Sequence, residues 1–151
     1  MTPTDTATPS PTASPAPPAV TPTPAPAQVP TCTRAGVKVA ADYLGAANQV
    51  AYGRIRVTNV SGAACSLSGF PGVSLLLNGA KIGSPATHSG QNPSVIALQP
   101  SAVAQAKFTA SSSCNAPLSD TMRVAVPGTN SYQDVPFELR ACSITVEPLS
   151  L

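Results

Sequence analysis

The chain has 151 residues, eight basic and six acidic, for a net charge of +2. Nucleic-acid binding asks for a clustered basic face with stacking aromatics. Arg34, Lys38, Arg54, Arg56, Lys81, Lys107, Arg123 and Arg140 are instead spread along the chain, so no nucleic-acid partner is expected. No window reaches the length of a transmembrane helix.

Residues 1–31 hold ten of the eighteen prolines, no glycine, no aromatic residue and one charge, Asp5. Such a stretch buries too little apolar surface to offset the entropy of ordering it. Its Thr-Pro, Ser-Pro and Ala-Pro steps describe a semi-stiff, polyproline-like spacer. Thr and Ser beside Pro also resemble glycosylated stalks. The spacer lacks the basic start and apolar stretch of a signal peptide, so an export signal is expected upstream or already removed. Residues 32–151 suit one domain with a single core.

The cysteines are Cys32, Cys65, Cys114 and Cys142, none in a C-x-x-C pair, with one histidine in the chain. That composition does not suit a Cys/His zinc site. An even count at wide spacing, in a chain poor in charge, reads as two disulfides in an oxidising compartment. Three connectivities are open, and proximity in sequence favours Cys32–Cys65 with Cys114–Cys142. Each bridge would contribute roughly 3–4 kcal/mol in the chain-entropy picture.

From Val37 onward the apolar residues recur with period two. Val37–Gly45 is read as strand. In Ala51–Asn59, the residues Ala51, Gly53, Ile55 and Val57 fall on one face, and Tyr52, Arg54, Arg56 and Thr58 on the other. That is the signature of a half-buried antiparallel strand. Asn59–Gly62 is a turn before a strand at Cys65, and Gly69–Gly72 interrupts before Val73–Leu77 resumes. Asn78-Gly79 marks a type I′ hairpin into Lys81-Ile82. Ser84–Pro93 reads as an irregular loop. Ser94–Leu98 and Val103–Thr109 are strands joined by the Gln99-Pro100-Ser101 turn. Met122–Val126, Tyr132–Leu139 and Ser143–Val146 complete the set. Seven to nine short antiparallel strands with turn signals every eight to twelve residues predict an all-β fold, an immunoglobulin-like Greek-key sandwich.

An asparagine turn, Asn59–Gly62, followed by Cys65, Leu67 and Gly69-Phe70-Pro71-Gly72, is the most specific motif of the chain. With Leu98–Ala102, Cys114, Val124–Gly128 and Cys142, it resembles an actinobacterial secreted or lipoprotein domain of unknown function, the four-cysteine DUF4232 type, over roughly Cys32–Pro148. The resemblance implies export, often with a lipid anchor on a Thr/Pro-rich linker, and a β-rich domain with paired cysteines. It brings no activity, ligand or catalytic residue. This chain has Gln99-Pro100-Ser101 where a Pro-Gly turn is usual, which leaves the local turn type open.

Chemistry-bearing clusters are scarce. His88 lies in the polar loop beside Ser89, and hydrolysis would need it positioned on an activated nucleophile; it reads instead as an exposed loop histidine. Asp120, Asp134, Glu138 and Glu147 supply carboxylates, of which Asp134 and Glu138 read as surface charges in or beside a strand. One histidine, Met1 and Met122 are a poor donor set for copper or zinc, and no calcium-loop pattern occurs. Asn59-Val60-Ser61 matches a glycosylation sequon, but Asn59 is read as a turn residue. No cofactor is expected.

These readings lead to a non-catalytic, monomeric envelope module whose partner is an unknown envelope protein or glycan, and which meets the membrane only through an upstream lipid anchor. The candidate surfaces are the strand face with Tyr52, Arg54 and Arg56, and the loop carrying His88. The rivals are a small-ligand or glycan carrier with a pocket between the sheets, a structural spacer domain, and a hydrolase built around His88.

Overall fold

The computed structural model describes residues 29–151. Most of the spacer lies outside the described residues. Its last residues do not: the Pro30 carbonyl accepts from the Ser66 amide at 2.8 Å, and the Cys32 amide donates to the Ser66 carbonyl at 2.9 Å.

The described chain is all-β. After a single 3-10 turn at Arg34–Gly36 come β1 (Val37–Ala47), β2 (Val50–Asn59), β3 (Cys65–Ser68), β4 (Gly72–Leu77), β5 (Ala80–Ile82) and β6 (Thr87–His88). Then follow β7 (Val95–Leu98), β8 (Val103–Ser111), β9 (Thr121–Val126), β10 (Ser131–Pro136) and β11 (Ser143–Val146). They form a five-stranded sheet in the order β1-β2-β8-β11-β6, a four-stranded sheet β10-β9-β4-β5, and the pair β3-β7. Val39, Ile55, Val57, Phe108 and Val146 of the first sheet meet Val73, Leu75, Met122 and Val124 of the second in one apolar cluster. Burial of such side chains, roughly 1.5–3 kcal/mol each, is the main stabilising term.

The described residues form eleven strands against the seven to nine expected, and one that the sequence pattern does not register is the two-residue β6. Its segment, expected as irregular loop, supplies the partner that the open side of β11 requires. Thr87 and His88 pair in parallel with Thr145 and Val146, and the Ser89 amide donates to the Val146 carbonyl at 2.9 Å. On its way the segment also bonds the second sheet, through the Ala86 amide to the Val73 carbonyl at 2.9 Å. The expected strand Tyr132–Leu139 stops at Pro136, which has no amide hydrogen for the ladder. Beyond it the backbone bonds to Ser119 and Asp120 instead.

The disulfides are Cys32–Cys65 and Cys114–Cys142, the pairing that sequence proximity favoured. Asn78 and Gly79 both have positive φ (50° and 81°), as a type I′ hairpin requires. Asn48 and Gln49 do the same between β1 and β2 (52° and 63°) without a glycine. In the Gln99–Ala102 turn the Ala102 amide donates to the Gln99 carbonyl at 3.0 Å. Pro100 follows Gln99, and Ser101 has φ of 69°. This is the type II arrangement, with serine in the left-handed place that glycine takes in a Pro-Gly turn. Ser101→Gly is therefore expected to raise stability by about 0.5–1 kcal/mol, read by urea denaturation, because left-handed backbone costs a side chain more than glycine's extra chain entropy.

Gly53 stands opposite Phe108 across the β2–β8 pair. A Cβ on Gly53 would sit 2.3 Å from the Phe108 ring and 2.9 Å from the Asp42 carbonyl oxygen. Phe108 is itself held edge-on by Phe137, with centroids 5.9 Å apart. Neither neighbour has room to yield, so Gly53→Ala is expected to cost about 2–3 kcal/mol in denaturant unfolding, the overpacking range. A loss below about 0.5 kcal/mol would show that the ring relocates freely.

Candidate binding surface

Period two in β2 turns Ala51, Gly53, Ile55, Val57 and Asn59 inward and leaves Tyr52, Arg54 and Arg56 on the outer face. The β1–β2 register sets Asp42 opposite Arg54, with Ala40 opposite Arg56. Ala40 is too short to obstruct the neighbouring side chains, and Asp42 takes both guanidiniums. Arg54 Nε donates to Asp42 Oδ2 at 2.8 Å; Arg56 donates from Nε to Oδ2 at 2.6 Å and from a terminal nitrogen to Oδ1 at 3.0 Å. One carboxylate so holds two arginines side by side, each more than a third exposed. Lys107 of β8 lies opposite Arg54, and Gln105 opposite Arg56. Tyr52, 44% exposed, stands one step along the same face, opposite Thr109.

The Arg56 hydrogen bonds, and then that of Arg54, hold the Asp42 carboxyl below the usual aspartate range. A depressed folded pKa contributes stability above the unfolded value near 4, and this is lost as pH falls through the folded value. Solvent screening keeps the contribution below about 1 kcal/mol. Asp42→Asn should accordingly flatten the decline of stability between about pH 5 and pH 2, measured by urea midpoints across that range. An unchanged acid limb would contradict the assignment.

The structure does not bring His88 to this face. It lies in β6, at the opposite edge of the same sheet, three strands from β2. Its ring is stacked on Phe70 at 4.1 Å between centroids with planes 4° apart. The Ser89 hydroxyl accepts from the Gln91 amide. Of the four candidate surface residues, Tyr52, Arg54 and Arg56 form one patch and His88 stands apart. The four cysteines are consumed in the two bridges, which places the fold in an oxidising, extracellular type of environment.

Sequence reasoning missed a second polar cluster on the outer face of the four-stranded sheet. Arg123 of β9 forms a two-pronged ion pair with Asp134 of β10 at 2.8 and 3.0 Å. Its guanidinium also lies 3.9 Å from the centroid of the Tyr132 ring. Alternation places Tyr132 and Asp134 on one side of their strand, but Arg123 joins them only through the β9–β10 register. Asn59, read as a turn residue, is wholly buried. Its Nδ2 donates to the carbonyls of Ala63 and Leu98, both at 2.8 Å. Its Oδ1 accepts from the Ser61 amide at 2.9 Å and the Ser61 hydroxyl at 2.6 Å. The amide nitrogen that a glycan would need is committed to the interior.

Residues 32–150 match the family model described as Domain of unknown function (DUF4232). The chain belongs to this family. The match runs from Cys32 through both disulfides and the Asn59 turn to the last bonded residue of the sheet, Ser150. No curated protein and no solved structure matches the chain. The DUF4232 domain therefore brings a fold boundary and no established activity, and a reading of its role rests on its own surfaces.

Proposed function

We propose that this DUF4232 domain is an exported, non-catalytic module of the cell envelope. It is carried as a monomer on its Pro/Thr-rich spacer and binds an envelope protein or glycan through the outer face of β1, β2 and β8. The supporting observation is the Asp42-centred pair of Arg54 and Arg56 beside exposed Tyr52. A shared carboxylate pre-orders both forks, so less side-chain entropy is lost when the remaining donors meet a partner. Tyrosine and arginine are also the residue types that carry most binding energy at interfaces. The oxidising environment supports export, and a lipid anchor upstream of the spacer would hold the module at the surface.

A carrier with its ligand between the sheets is the weaker reading. Ile55, Phe108, Met122 and Val124, each at most 2% exposed, fill that space. A hydrolase around His88 draws no support from a ring stacked on Phe70. A spacer domain without a ligand gives no reason for pre-ordered arginines on an open face.

The reading is tested by binding of the purified domain to isolated envelope fragments at two salt concentrations. The double variant Tyr52→Ala/Arg54→Ala is expected to bind at least fivefold more weakly and with a shallower salt dependence. Binding unaltered in both respects would overturn the assignment of this face.

A further inference from the structure

β1 forms one edge of the five-stranded sheet. Its open side is covered at one end by a side chain acting as a partner strand. Gln133 of β10 donates from Nε2 to the Val37 carbonyl at 2.8 Å and accepts at Oε1 from the Val39 amide at 3.1 Å. One carboxamide thus occupies one ladder position. By the two-residue period, which the β1–β2 register keeps up to the bulge between Tyr43 and Gly45, Ala41 and the Tyr43 amide face the same side, beyond the reach of Gln133. Among the described residues, the hydrogen bonds β1 makes on that side are those to Gln133.

The uncovered stretch adjoins an exposed apolar group. Tyr43 is 56% exposed, Leu44 53% and Leu118 39%. Beneath them opens a cavity of about 330 Å³ whose apolar wall is Tyr43, Ala46, Ala51, Leu118 and Leu139, with Ser112, Glu138 and Arg140 at its polar margin. The Cys114–Cys142 bridge and the paired backbone of Leu118 and Arg140 hold its far wall in place.

We propose that the open side of β1 at Ala41–Tyr43 receives an extended segment of a partner protein as a sixth strand of the sheet. One apolar side chain of that segment enters the cavity beneath Tyr43, and acidic residues at the alternate positions face the rim. Strand addition draws affinity from main-chain bonds and specificity from pockets for alternate side chains, and both elements are present here. The acidic preference follows from charge: beside this edge and around the cavity, Lys38, Arg54, Arg56 and Arg140 stand against Asp42 and Glu138, four positive groups to two negative, with Lys38, Arg54 and Arg56 on the outer face that the alternate positions meet. The same count disfavours a second copy of this chain, since pairing β1 with itself would bring two such rims together. The proposal goes beyond the Tyr52–Arg56 face: it takes Arg54 and Arg56 as neighbouring charge, but its strand edge and its cavity lie outside that face.

The test is selection of a displayed random octapeptide library on the full, oxidised chain, followed by amide hydrogen exchange with the enriched peptide. Enriched sequences are expected to alternate apolar and acidic residues and to slow exchange at Ala41 and Tyr43 at least tenfold. Ala41→Pro removes an amide that faces outward and not the β1–β2 ladder, so it should weaken the peptide at least tenfold. Leu118→Asp, which places a charge at the cavity mouth, should do the same and serves if the proline variant does not fold. Tyr52→Ala should retain the peptide, separating this site from the proposed face. The proposal is overturned if no sequence is enriched, or if enriched peptides bind both variants as well as the parent. Protection of Ala41 that appears without peptide and rises with protein concentration would also overturn it, as the mark of self-pairing.

Discussion

Asn59→Asp is expected to destabilise the domain by roughly 4 kcal/mol at neutral pH. The wild-type amide makes four bonds from a wholly buried position, two as donor to carbonyls and two as acceptor from Ser61. A carboxylate keeps only the acceptor half. The carbonyls of Ala63 and Leu98 would lose their donors, at about 1–3 kcal/mol for each buried group left unpaired. They would also face a negative oxygen in a region where charge is poorly solvated. The deficit has a pH signature. Burial and the facing carbonyls would raise the folded pKa of the introduced carboxyl above its unfolded value, so the variant binds a proton more readily when folded and regains stability as pH falls through that raised value. Urea denaturation at pH 7 and pH 4 reads both effects. A loss under about 1 kcal/mol at pH 7, or a deficit that does not shrink in acid, would refute this account of the turn. Because the Asn59 amide and carbonyl also pair with Ala102 and Ser101, the turn after β2 and the turn before β8 should loosen together, seen as faster amide exchange in both.

The second large effect is removal of the Cys32–Cys65 bridge by paired alanines. Its 33-residue separation predicts a loss of about 3–4 kcal/mol from the freed unfolded chain. Cys114–Cys142, at 28 residues, predicts nearly the same. The two bridges differ in surroundings. Cys32 and Cys65 are 2% and 6% exposed within the core, whereas Cys114 is exposed. Alanines at 32 and 65 therefore also leave an unfilled volume and release the strand-like pairing of Thr31 with Ser66. Thermal melts should rank Cys32→Ala/Cys65→Ala clearly below Cys114→Ala/Cys142→Ala. Equal melting temperatures would mean that loop closure alone accounts for both bridges. Since domains of this size are stable by about 5–15 kcal/mol, loss of both bridges is expected to leave the chain largely unfolded at 37 °C.

How far the structure was legible in the sequence depends on the range of the interaction involved. In β2, the inward row of Ala51, Gly53, Ile55 and Val57 was plain, because burial on one face imposes period two within a few residues. The Asn78-Gly79 hairpin was plain for the same reason: positive φ at two successive positions selects those residues locally. The hairpin at Asn48–Gln49 uses the same geometry with a poorer sequence, and went unread because Gln49 is not a residue that announces left-handed backbone. β6 was missed because two residues have no periodicity; only the bare side of β11 makes a strand of them. Tyr52, Arg54 and Arg56 were visible as one face, but not that Asp42 would join two of them. His88 was grouped with them as a surface residue, while the chain path sets it at the far edge of the sheet.

The sequence by itself determined that this chain folds as β-strands closed by two disulfides, because strand periodicity and turn residues are properties of neighbouring residues, and four widely spaced cysteines in a charge-poor chain select bridges over a metal site. Only the tertiary structure decided which strands lie side by side. With that came the sharing of Asp42 by two arginines, the capping of Val37 and Val39 by Gln133, and the open stretch of β1 at Ala41–Tyr43. Those features depend on register between segments up to about a hundred residues apart, and register is set by the packing of the whole core.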